Sequence, residues 1–379
     1  MKILYVTHEP NLTGASRSLL DLLENIDRTR CEPTVLLRKH GPIERELQEL
    51  GIPYIVFPYL LSIKSRYKTR PNIVKKISAG FFALRLANLI ESLEVDVVHN
   101  NTLLVGAGME AARRLKIPYI CHVRELVHGS HGMSFVDEER MKELMREANC
   151  TLFISEVTKR RFEGWYRPGK YKVLPDGVKA EHYYLDNRHL FDKEVTTILL
   201  AGRISKGKGQ LDAIKAIKIL LDRNVQVRLM LIGNIGDEQY AEDCHKYAAN
   251  NRLEHSVIFG EFQGDMKKVY SESDIALCCS EQEALGRVMI EGMLAGCLVI
   301  TSDCESAKEI VDETITGYIY EQGNSERLAD VIEHAITNAA ASRELAVRGQ
   351  QYALHAFDAA GYAKTMIGIY EELLGSNHE

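Results

Sequence analysis

A short segment rich in glycine and basic residues, Gly202–Gly209, has the composition of an anion-binding loop. The segment follows an apolar run and precedes a helical pattern, so it is predicted to join a strand to a helix. Glycines at such a turn let a ligand approach the backbone closely, and the N-terminus of the helix attracts an anion. Arg203 and Lys208 add positive charge that suits a diphosphate. The alternative is a tight turn with solvated lysines.

Two carboxylates, Glu283 and Glu291, form a second candidate group, eight residues apart. Glu283 is predicted to lie in the loop after an apolar strand, and Glu291 to lie inside the next helix among apolar neighbours. A buried carboxylate needs hydrogen-bond donors, and vicinal ribose hydroxyls are natural donors for it. Glu283, in its loop, suits the hydroxyls of a sugar. The alternative is a helix-capping carboxylate together with a structural ion pair.

Short apolar runs alternate with amphipathic stretches along almost the whole chain, and this alternation predicts the elements that position these residues. Strands are predicted at 2–7, 34–37, 54–57, 95–99, 119–122, 151–155, 197–201, 227–232, 257–259, 275–278 and 298–301. The apolar runs lack strict alternation with polar residues, which indicates strands covered on both faces, as in parallel sheets. Strand–helix alternation on this scale predicts an α/β fold with two doubly wound, Rossmann-like domains.

The boundary between the domains is predicted near residues 175–195, where a Pro-Asp-Gly turn precedes a polar stretch without apolar periodicity. A chain of 379 residues has room for two domains of ordinary size. We therefore predict an N-terminal domain at 1–180, a second domain at 190–355 and a C-terminal helix at 356–379 that packs back on the first domain.

Composition and charge argue against several classes of protein. The formal net charge of −6 disfavours nucleic-acid binding across the surface. No run approaches the ~20 apolar residues that a membrane-spanning helix requires. The eight cysteines form no C-x-x-C pair, which predicts buried thiols in a reducing compartment. No Asp-x-Asp sequence occurs, so a metal-clamped site is disfavoured and no metal ion is predicted.

The two candidate groups together resemble the motifs of a known family. A G-R-x4-K-G motif at 202–209 precedes an E-x7-E motif at 283–291 by roughly 75 residues, as in the retaining glycosyltransferase family 4. The resemblance extends over most of the chain. It implies the GT-B fold, in which two Rossmann-like domains face each other across a cleft, and sugar transfer from a nucleotide-sugar to an acceptor with retention of anomeric configuration. Closure of the domains about the linker at 175–195 would exclude water.

The resemblance also implies roles for individual residues of the second domain. Arg203 and Lys208 would hold the pyrophosphate and neutralise the leaving group, Glu291 would bind the ribose, and Glu283 would contact the donor sugar. The backbone of Leu285 and Gly286 would also contact the donor sugar, and Gly233 and Phe262 are weaker candidates for the nucleoside pocket. The predicted donor site comprises Gly202, Arg203, Lys208, Gly233, Phe262, Glu283, Leu285, Gly286 and Glu291.

Fewer residues of the first domain are implied. Gly14 lies in a loop that resembles the family's glycine-rich first loop, where the backbone approaches phosphate and acceptor. His122 ends a predicted strand and takes the role of a family histidine that faces the donor sugar near the reacting carbon. A histidine at such a position is often just hydrogen-bonded locally, and His99 on the neighbouring strand is the second candidate. Arg124 and Glu125 are expected to line the cleft. The predicted catalytic residues are thus His122, Arg203, Lys208 and Glu283.

Basic and apolar side chains are interleaved between residues 59 and 85, and no acid occurs between Glu49 and Glu91. Tyr59 and Phe82 are among the apolar members; the basic members are Lys64, Arg66, Lys68, Arg70, Lys75, Lys76 and Arg85. On a chain of net negative charge, this segregation predicts an anionic contact surface. The candidate partners are a membrane surface and an anionic lipid-linked acceptor, and the alternative is a solvated helix face.

These observations predict a hexosyltransferase-type, metal-independent enzyme without a cofactor, whose donor is a nucleotide-sugar, a UDP-sugar being favoured over a GDP-sugar. The expected acceptor is a glycan or a lipid-linked acceptor of cell-envelope polysaccharide biosynthesis. The expected location is the cytoplasm, with the inner face of the membrane as a candidate site of attachment. One alternative is a non-catalytic nucleotide-sugar-binding protein on the same scaffold. A nicotinamide-dependent oxidoreductase is another, but it needs a glycine fingerprint that His8–Gly14 does not supply.

Overall fold

The computed structural model describes residues 1–65, 72–127, 133–261 and 265–375, of which 65, 72–81 and 133 are described by their backbone only. Within these residues the chain divides into two compact units. One comprises Met1–Val178 with the C-terminal segment from Ala359 onward, and the other comprises Lys179–Asp358. Each unit is built around a parallel sheet with helices in the connections. The predicted fold class, α/β with two Rossmann-like domains, is therefore confirmed.

The first unit contains a seven-stranded parallel sheet in its described residues. The strands up to residue 178 are β1 (Lys2–Val6), β2 (Glu32–Leu37), β3 (Tyr54–Val56), β4 (Ile63–Ser65), β5 (Val97–Asn100), β6 (Tyr119–Val123), β7 (Met133–Phe135), β8 (Cys150–Phe153) and β9 (Tyr171–Val173). The helices are α1 (Gly14–Asn25), α2 (Ile43–Glu49), α3 (Asn72–Leu93), α4 (Ala107–Leu115), α5 (Glu138–Glu147) and α6 (Glu156–Arg161). The sheet order is β3-β2-β1-β5-β6-β8-β9, and β4 pairs separately with β7 in antiparallel fashion.

The second unit contains a six-stranded parallel sheet in its described residues, in the order β12-β11-β10-β13-β14-β15. Its strands are β10 (Thr196–Ala201), β11 (Val227–Ile232), β12 (Val257–Gly260), β13 (Ile275–Cys278), β14 (Leu298–Ser302) and β15 (Gly317–Tyr320). Its helices are α7 (Gln210–Asp222), α8 (Glu238–Asn250), α9 (Met266–Ser271), α10 (Arg287–Leu294), α11 (Ala307–Ile310), α12 (Ser325–Thr337) and α13 (Ala339–Ala356).

The strand order of each sheet reverses beside the first strand of the unit. In the first unit β1 lies between β2 and β5, and in the second β10 lies between β11 and β13. Open parallel sheets bind ligands in the crevice outside the carboxyl ends of their strands at such a point. The loops after β1 and β5, and those after β10 and β13, are therefore where functional residues are expected.

The last helix, α14 (Ala359–Gly375), belongs to the first unit. Its Met366 and Ile367 pack in the same apolar cluster as Ile3 of β1 and Leu22 of α1, and all four side chains are buried. Full burial of one such side chain contributes about 1.5–3 kcal/mol. The helix is thus part of the core of that unit. None of the helices within the described ranges is long and apolar enough to cross a membrane.

Two histidines lie buried beneath α14. His99 on β5 is paired in register with Ile120 on β6, so His122, two residues further along β6, lies on the same face of the sheet. Burial lowers the pKa of both rings well below the usual value of 6.5, and the neighbouring Arg124 lowers it further. Both histidines are therefore neutral in the folded protein near neutral pH.

We expect the stability of this unit to fall as the pH is lowered. The unfolded chain takes up protons on these histidines near pH 6.5 and the folded chain does not, so the free energy of unfolding decreases below that pH. Each ring contributes up to about 1.4 kcal/mol per pH unit to the slope of the free energy of unfolding against pH. His122→Gln should remove one such contribution.

Urea unfolding of the wild type and His122→Gln at several values between about pH 7.5 and about pH 5.5 tests this expectation. The only tryptophan of the sequence, Trp165, packs edge-to-face against Phe162 in this unit and reports its unfolding by fluorescence. The exposed His355, changed to Gln, is the control. Equal slopes for the wild type and His122→Gln would contradict the prediction.

Candidate functional site

The loop after β10 and the loop after β13 are in direct contact in the second unit. The backbone amide of Glu281 donates to the carbonyl of Gly207 over 3.0 Å. Gly209 is the N-cap of α7 with a φ of +68°, and a Cβ there would lie 2.3 Å from the carbonyl oxygen of Cys279. Glycine is required at this position because both the backbone conformation and the close approach exclude a side chain. The two motifs predicted to act together are therefore adjacent.

Lys208 and Glu283, one from each motif, form an ion pair between these loops. Ser280 donates to the same Glu283 oxygen, Oε1, over 2.6 Å. The Lys208 side chain is 26% exposed and that of Glu283 is 13% exposed, so solvent still reaches the pair. Burial lowers the pKa of Lys208, but the Glu283 carboxylate outweighs this effect and raises the pKa above the usual 10.5. Lys208 is therefore a cation beside an opening to solvent.

Glu291 is 6% exposed, and the protein itself supplies donors to its carboxylate. Among the described residues, Oε1 accepts from the Tyr183 hydroxyl over 2.9 Å and from Arg287 Nε over 2.8 Å. The Tyr270 hydroxyl donates to Oε2 over a longer distance of 3.4 Å. The ion pair with Arg287 is the structural alternative considered above. A carboxylate has about four acceptor positions, so Oε2 keeps capacity for one more donor.

Gly202 of the first motif and Gly233, a candidate for the nucleoside pocket, directly follow β10 and β11. A Cβ on Gly233 would lie 2.0 Å from the carbonyl oxygen of Gly202, so close backbone packing alone requires glycine at 233. Arg203 is exposed, and the stem of its side chain lies against Gly236. The role of Gly233 in nucleoside binding stays a prediction. Phe262 lies outside the described residues.

Leu285 and Gly286 immediately precede α10. Gly286 has a φ of +89° and is the N-cap of the helix, so the N-cap residue has no side chain that could accept from the first amides. Leu285 is buried. The first amides of a helix have no partner within the helix, so this end of α10 presents backbone donors next to Glu283. Contact of this backbone with a donor sugar stays a prediction.

In the first unit, Gly14 is exposed and is the first residue of α1. His122, the candidate catalytic residue of this unit, is fully buried at the end of β6. The Nδ1 atom of His122 lies 3.0 Å from His99 Nε2 and 3.3 Å from Arg124 Nη2. Its Nε2 atom has no hydrogen-bond partner among the described residues. His99 and His122, weighed as alternatives from the sequence, thus contact each other.

Arg124 forms a buried ion pair with Asp176, the acid of the Pro-Asp-Gly turn. Tyr362 of α14 also donates to Asp176, over 3.4 Å. Arg124, which was expected to line the cleft, contacts the Asp176 carboxylate and the His122 ring. Burial raises the pKa of Glu125, which accepts from the Leu103 amide over 3.2 Å. Arg124 and Glu125 are therefore both anchored within the unit.

The segment predicted to form an anionic contact surface, residues 59–85, is described only in part, since 66–71 lie outside the described residues. Arg85 lies over the Phe57 ring at 5.5 Å from its centroid. Tyr59 does not belong to a surface: it is 2% exposed and its hydroxyl donates to backbone carbonyls of Thr7 and Leu36. The prediction was wrong for Tyr59 because buried carbonyls satisfy its hydroxyl, and it stays a prediction for the basic residues.

Comparison with known proteins agrees with this architecture. Residues 13–177 match the model of the glycosyl transferase 4-like domain, and residues 185–353 match the model of glycosyl transferases group 1. The chain is 25% identical over 309 residues to the Bacillus subtilis protein EpsD, which is named as a glycosyltransferase. The aligned residues cover 76% of this chain and 79% of EpsD.

Two further similarities concern proteins described together with a nucleotide-sugar. The Xanthomonas campestris GDP-mannose:cellobiosyl-diphosphopolyprenol alpha-mannosyltransferase is 22% identical over 361 residues, 88% of this chain and 87% of that protein. The crystal structure of Anabaena HepE in complex with UDP-glucose has a TM-score of 0.81 at 21% identity, over 98% of this chain and 100% of HepE. The second similarity supports the fold. Together with the two family models, these similarities show that the chain belongs to the group 1 glycosyl transferases and is a glycosyltransferase of the GT-B fold.

Proposed function

We propose that this glycosyltransferase moves a hexose from a UDP-sugar to a lipid-linked or glycan acceptor with retention of anomeric configuration and without a metal ion. The observation that carries the proposal is the Lys208–Glu283 pair, which lies beside the amino end of α10 where the strand order reverses. The crevice holds a cation for the diphosphate and a carboxylate for the hydroxyls of the donor. Its backbone amides can stabilise the negative charge that grows on the leaving group.

The leaving diphosphate is stabilised by Lys208 and Arg203. Lys208 is held at the end of a short 3-10 turn, Lys206–Lys208, directly before α7. Its pKa is raised, so its charge is present throughout the neutral range. A bound phosphate competes with Glu283 for the ammonium group, and the carboxylate then becomes available to a sugar hydroxyl. Arg203 is exposed on the same loop and can approach the second phosphate.

The ribose is bound by Glu291. Hydrogen bonds from Tyr183, Tyr270 and Arg287 hold the carboxylate in place. The Glu291 side chain therefore loses no further conformational entropy when the nucleotide binds. The weak Tyr270 contact, at 3.4 Å, leaves Oε2 able to accept from a ribose hydroxyl. UDP is favoured as the nucleotide, in keeping with the UDP-glucose complex of HepE, while GDP, the nucleotide of the Xanthomonas campestris relative's donor, is the competitor.

In the proposed transfer, the acceptor hydroxyl oxygen forms a bond to the anomeric carbon while the bond from that carbon to the phosphate oxygen breaks. The hydroxyl proton passes to the leaving phosphate on the same face of the sugar, which is why no pair of catalytic carboxylates is needed. Positive charge on the sugar ring and negative charge on the phosphate grow together, and Lys208 lowers the energy of the latter.

The acceptor is proposed to be a lipid-linked sugar at the cytoplasmic face of the membrane, in the synthesis of an envelope polysaccharide. The acceptor in the name of the Xanthomonas campestris relative, a cellobiosyl-diphosphopolyprenol, is of this kind. The basic residues between 64 and 85 supply the matching charge for a diphosphate-linked lipid or an anionic membrane.

Lys208→Ala should lower the rate of nucleoside diphosphate release roughly 10²–10³-fold, because it removes a charge that stabilises the leaving group. The rate is measured with UDP-glucose as donor and a polyprenyl-diphosphate-linked disaccharide or water as acceptor. Lys206→Ala, on the same loop but exposed, is the matched control and should keep the wild-type rate. A wild-type rate in folded Lys208→Ala would refute the phosphate role of Lys208.

Nucleotide binding should be selective and should depend on Glu291. UDP is expected to raise the melting temperature more than GDP, CDP or ADP, with a chelator present. Glu291→Gln should weaken UDP binding roughly 10- to 100-fold, since a hydrogen bond to a charged group contributes about 1.5–3 kcal/mol.

Glu313→Gln, an exposed change in the same unit, is the control for the binding experiment. If no nucleotide stabilises the folded protein, the donor-site assignment fails. Tight binding of UDP with no turnover on any acceptor would favour the non-catalytic alternative instead.

Retention can be read from the product. UDP-glucose has an α-configured sugar, so the transferred glucose should be α-linked, and the coupling constant of its anomeric proton distinguishes the two linkages. The disaccharide acceptor incubated without enzyme is the blank. A β-linked product would exclude the proposed same-face transfer.

A further inference from the structure

A chain of hydrogen bonds crosses the buried face of the first unit from β1 to β6. The Tyr5 hydroxyl lies 2.9 Å from the Tyr370 hydroxyl of α14, and the latter lies 2.7 Å from His99 Nδ1. His99 Nε2 in turn lies 3.0 Å from His122 Nδ1. All four side chains are fully buried, so these groups depend on one another for their hydrogen bonds. The order of the protons along this chain can be deduced.

The contact with Arg124 determines which nitrogen of His122 is protonated. Arg124 Nη2 directs an N–H at this atom over 3.3 Å, and a guanidinium group is always a donor. A proton on Nδ1 would therefore face the charged N–H of Arg124. The ion pair with Asp176 fixes Arg124 in this position. His122 Nδ1 is thus an acceptor, and because the ring is neutral, its single proton is on Nε2.

The remaining protons follow from that assignment. His99 Nε2 faces the lone pair of His122 Nδ1, so it has to donate, and the neutral His99 ring then has its acceptor atom at Nδ1. The Tyr370 hydroxyl therefore donates to His99 Nδ1. Since Tyr370 has one proton, the Tyr5 hydroxyl has to donate to the Tyr370 oxygen. Each contact in the chain then has one donor and one acceptor.

The chain ends at an N–H group that the described residues leave without a partner. His122 Nε2 is buried, and no acceptor in the described part of the protein lies within hydrogen-bond distance. Buried donors in proteins are nearly always paired with protein, water or ligand atoms. The atom lies at the carboxyl end of β6, close to where the strand order of this sheet reverses.

We propose that Tyr370 is a positioning residue which, through His99 and together with Arg124, holds His122 as a neutral Nε2–H donor to an oxygen of the bound substrate. His122 is then not a general base, because its only lone pair already accepts from His99 and Arg124. The identity of the substrate oxygen as that of a sugar rests on the proposed function. The proton order is a property of the protein alone.

A neutral donor is well matched to glycosyl transfer. The sugar ring gains positive charge as the nucleotide leaves, and a protonated imidazolium ring nearby would oppose that charge. A neutral N–H orients an oxygen without adding a formal charge. Two histidines and an arginine are buried together because the arginine keeps the protons of both rings in place.

The test is nitrogen NMR of the full-length protein labelled with ¹⁵N-histidine. Signals are assigned by their loss in His99→Gln and His122→Gln. For the wild type we expect one protonated nitrogen, Nε2, in each of these two rings, unchanged between about pH 8 and about pH 6 because both rings stay neutral. A proton on His122 Nδ1, or on both nitrogens, overturns the proposal.

Two tyrosine variants separate positioning from general packing. Tyr370→Phe removes the donor to His99 Nδ1, so the two His99 nitrogens should move towards the average of the two tautomers, and kcat for UDP-glucose should fall several-fold at unchanged Kd for UDP. Tyr5→Phe removes a buried hydroxyl from the same chain but leaves the donor to His99, so the tautomer should persist. Unchanged His99 signals in Tyr370→Phe overturn the role of Tyr370.

Ligand contact is tested by adding UDP-glucose to the labelled wild type at a concentration that raises the melting temperature. The Nε2 signal of His122 should shift while Nδ1 stays unprotonated, and a bound ligand without this shift overturns the donor role. The spectra need no turnover, so they can contradict this inference while the proposed function holds. If either variant does not fold, the wild-type spectrum alone decides the proton order.

Discussion

Parallel pairing of β10 with β13 is the constraint on which the candidate donor site depends. Ile198 and Leu199 are in register with Ile275 and Ala276, although the two strands are separated by two other strands in the sequence. Parallel strands all end at the same edge of a sheet, so this register brings the loops that follow into contact. The contacts between the two loops, namely the ion pair of Lys208 with Glu283 and the hydrogen bond from Glu281 to Gly207, depend on that register.

The approach of the two loops also depends on residues without side chains. Gly209 lies against the backbone of Cys279, and Gly233 lies against the backbone of Gly202. A methyl group at either position would collide with a carbonyl oxygen, which cannot move without displacing a strand end. Gly209 and Gly233 are thus needed for packing within the protein, whatever their role toward a ligand. When either is changed, a packing effect has to be separated from a binding effect.

The first unit meets a different physical problem, the burial of charge. Isolated buried ions are costly, and breaking a buried pair costs about 3–5 kcal/mol. Here Arg124 is compensated by Asp176, by the carbonyl of Asn101 over 3.1 Å and by the neutral His122 ring. Helix α14 completes the arrangement, since Tyr362 contacts Asp176 and Tyr370 contacts His99. Sequence neighbours supply little of this compensation, which comes from segments far apart in the chain.

The sequence by itself determined the fold class and most of the sheet strands. Long apolar runs such as Val227–Ile232 predict buried parallel strands because burial on both faces requires them. The short strands β9 and β15 were missed, because a lysine interrupts one and a glycine begins the other, and their pairing comes from neighbours in the sheet. The motif glycines and charges were likewise readable, since their spacing alone indicates an anion-binding turn.

Only the tertiary structure decided which groups satisfy those charges. The donors to Glu291 include Tyr183 and Tyr270, which lie outside every motif and have no spacing signal. The contact of His99 with His122 required the register of two strands, and the contact of His99 with Tyr370 required the C-terminal helix. Periodicity records which face of a segment is buried, but a hydrogen bond between distant segments depends on distances that only the folded chain sets.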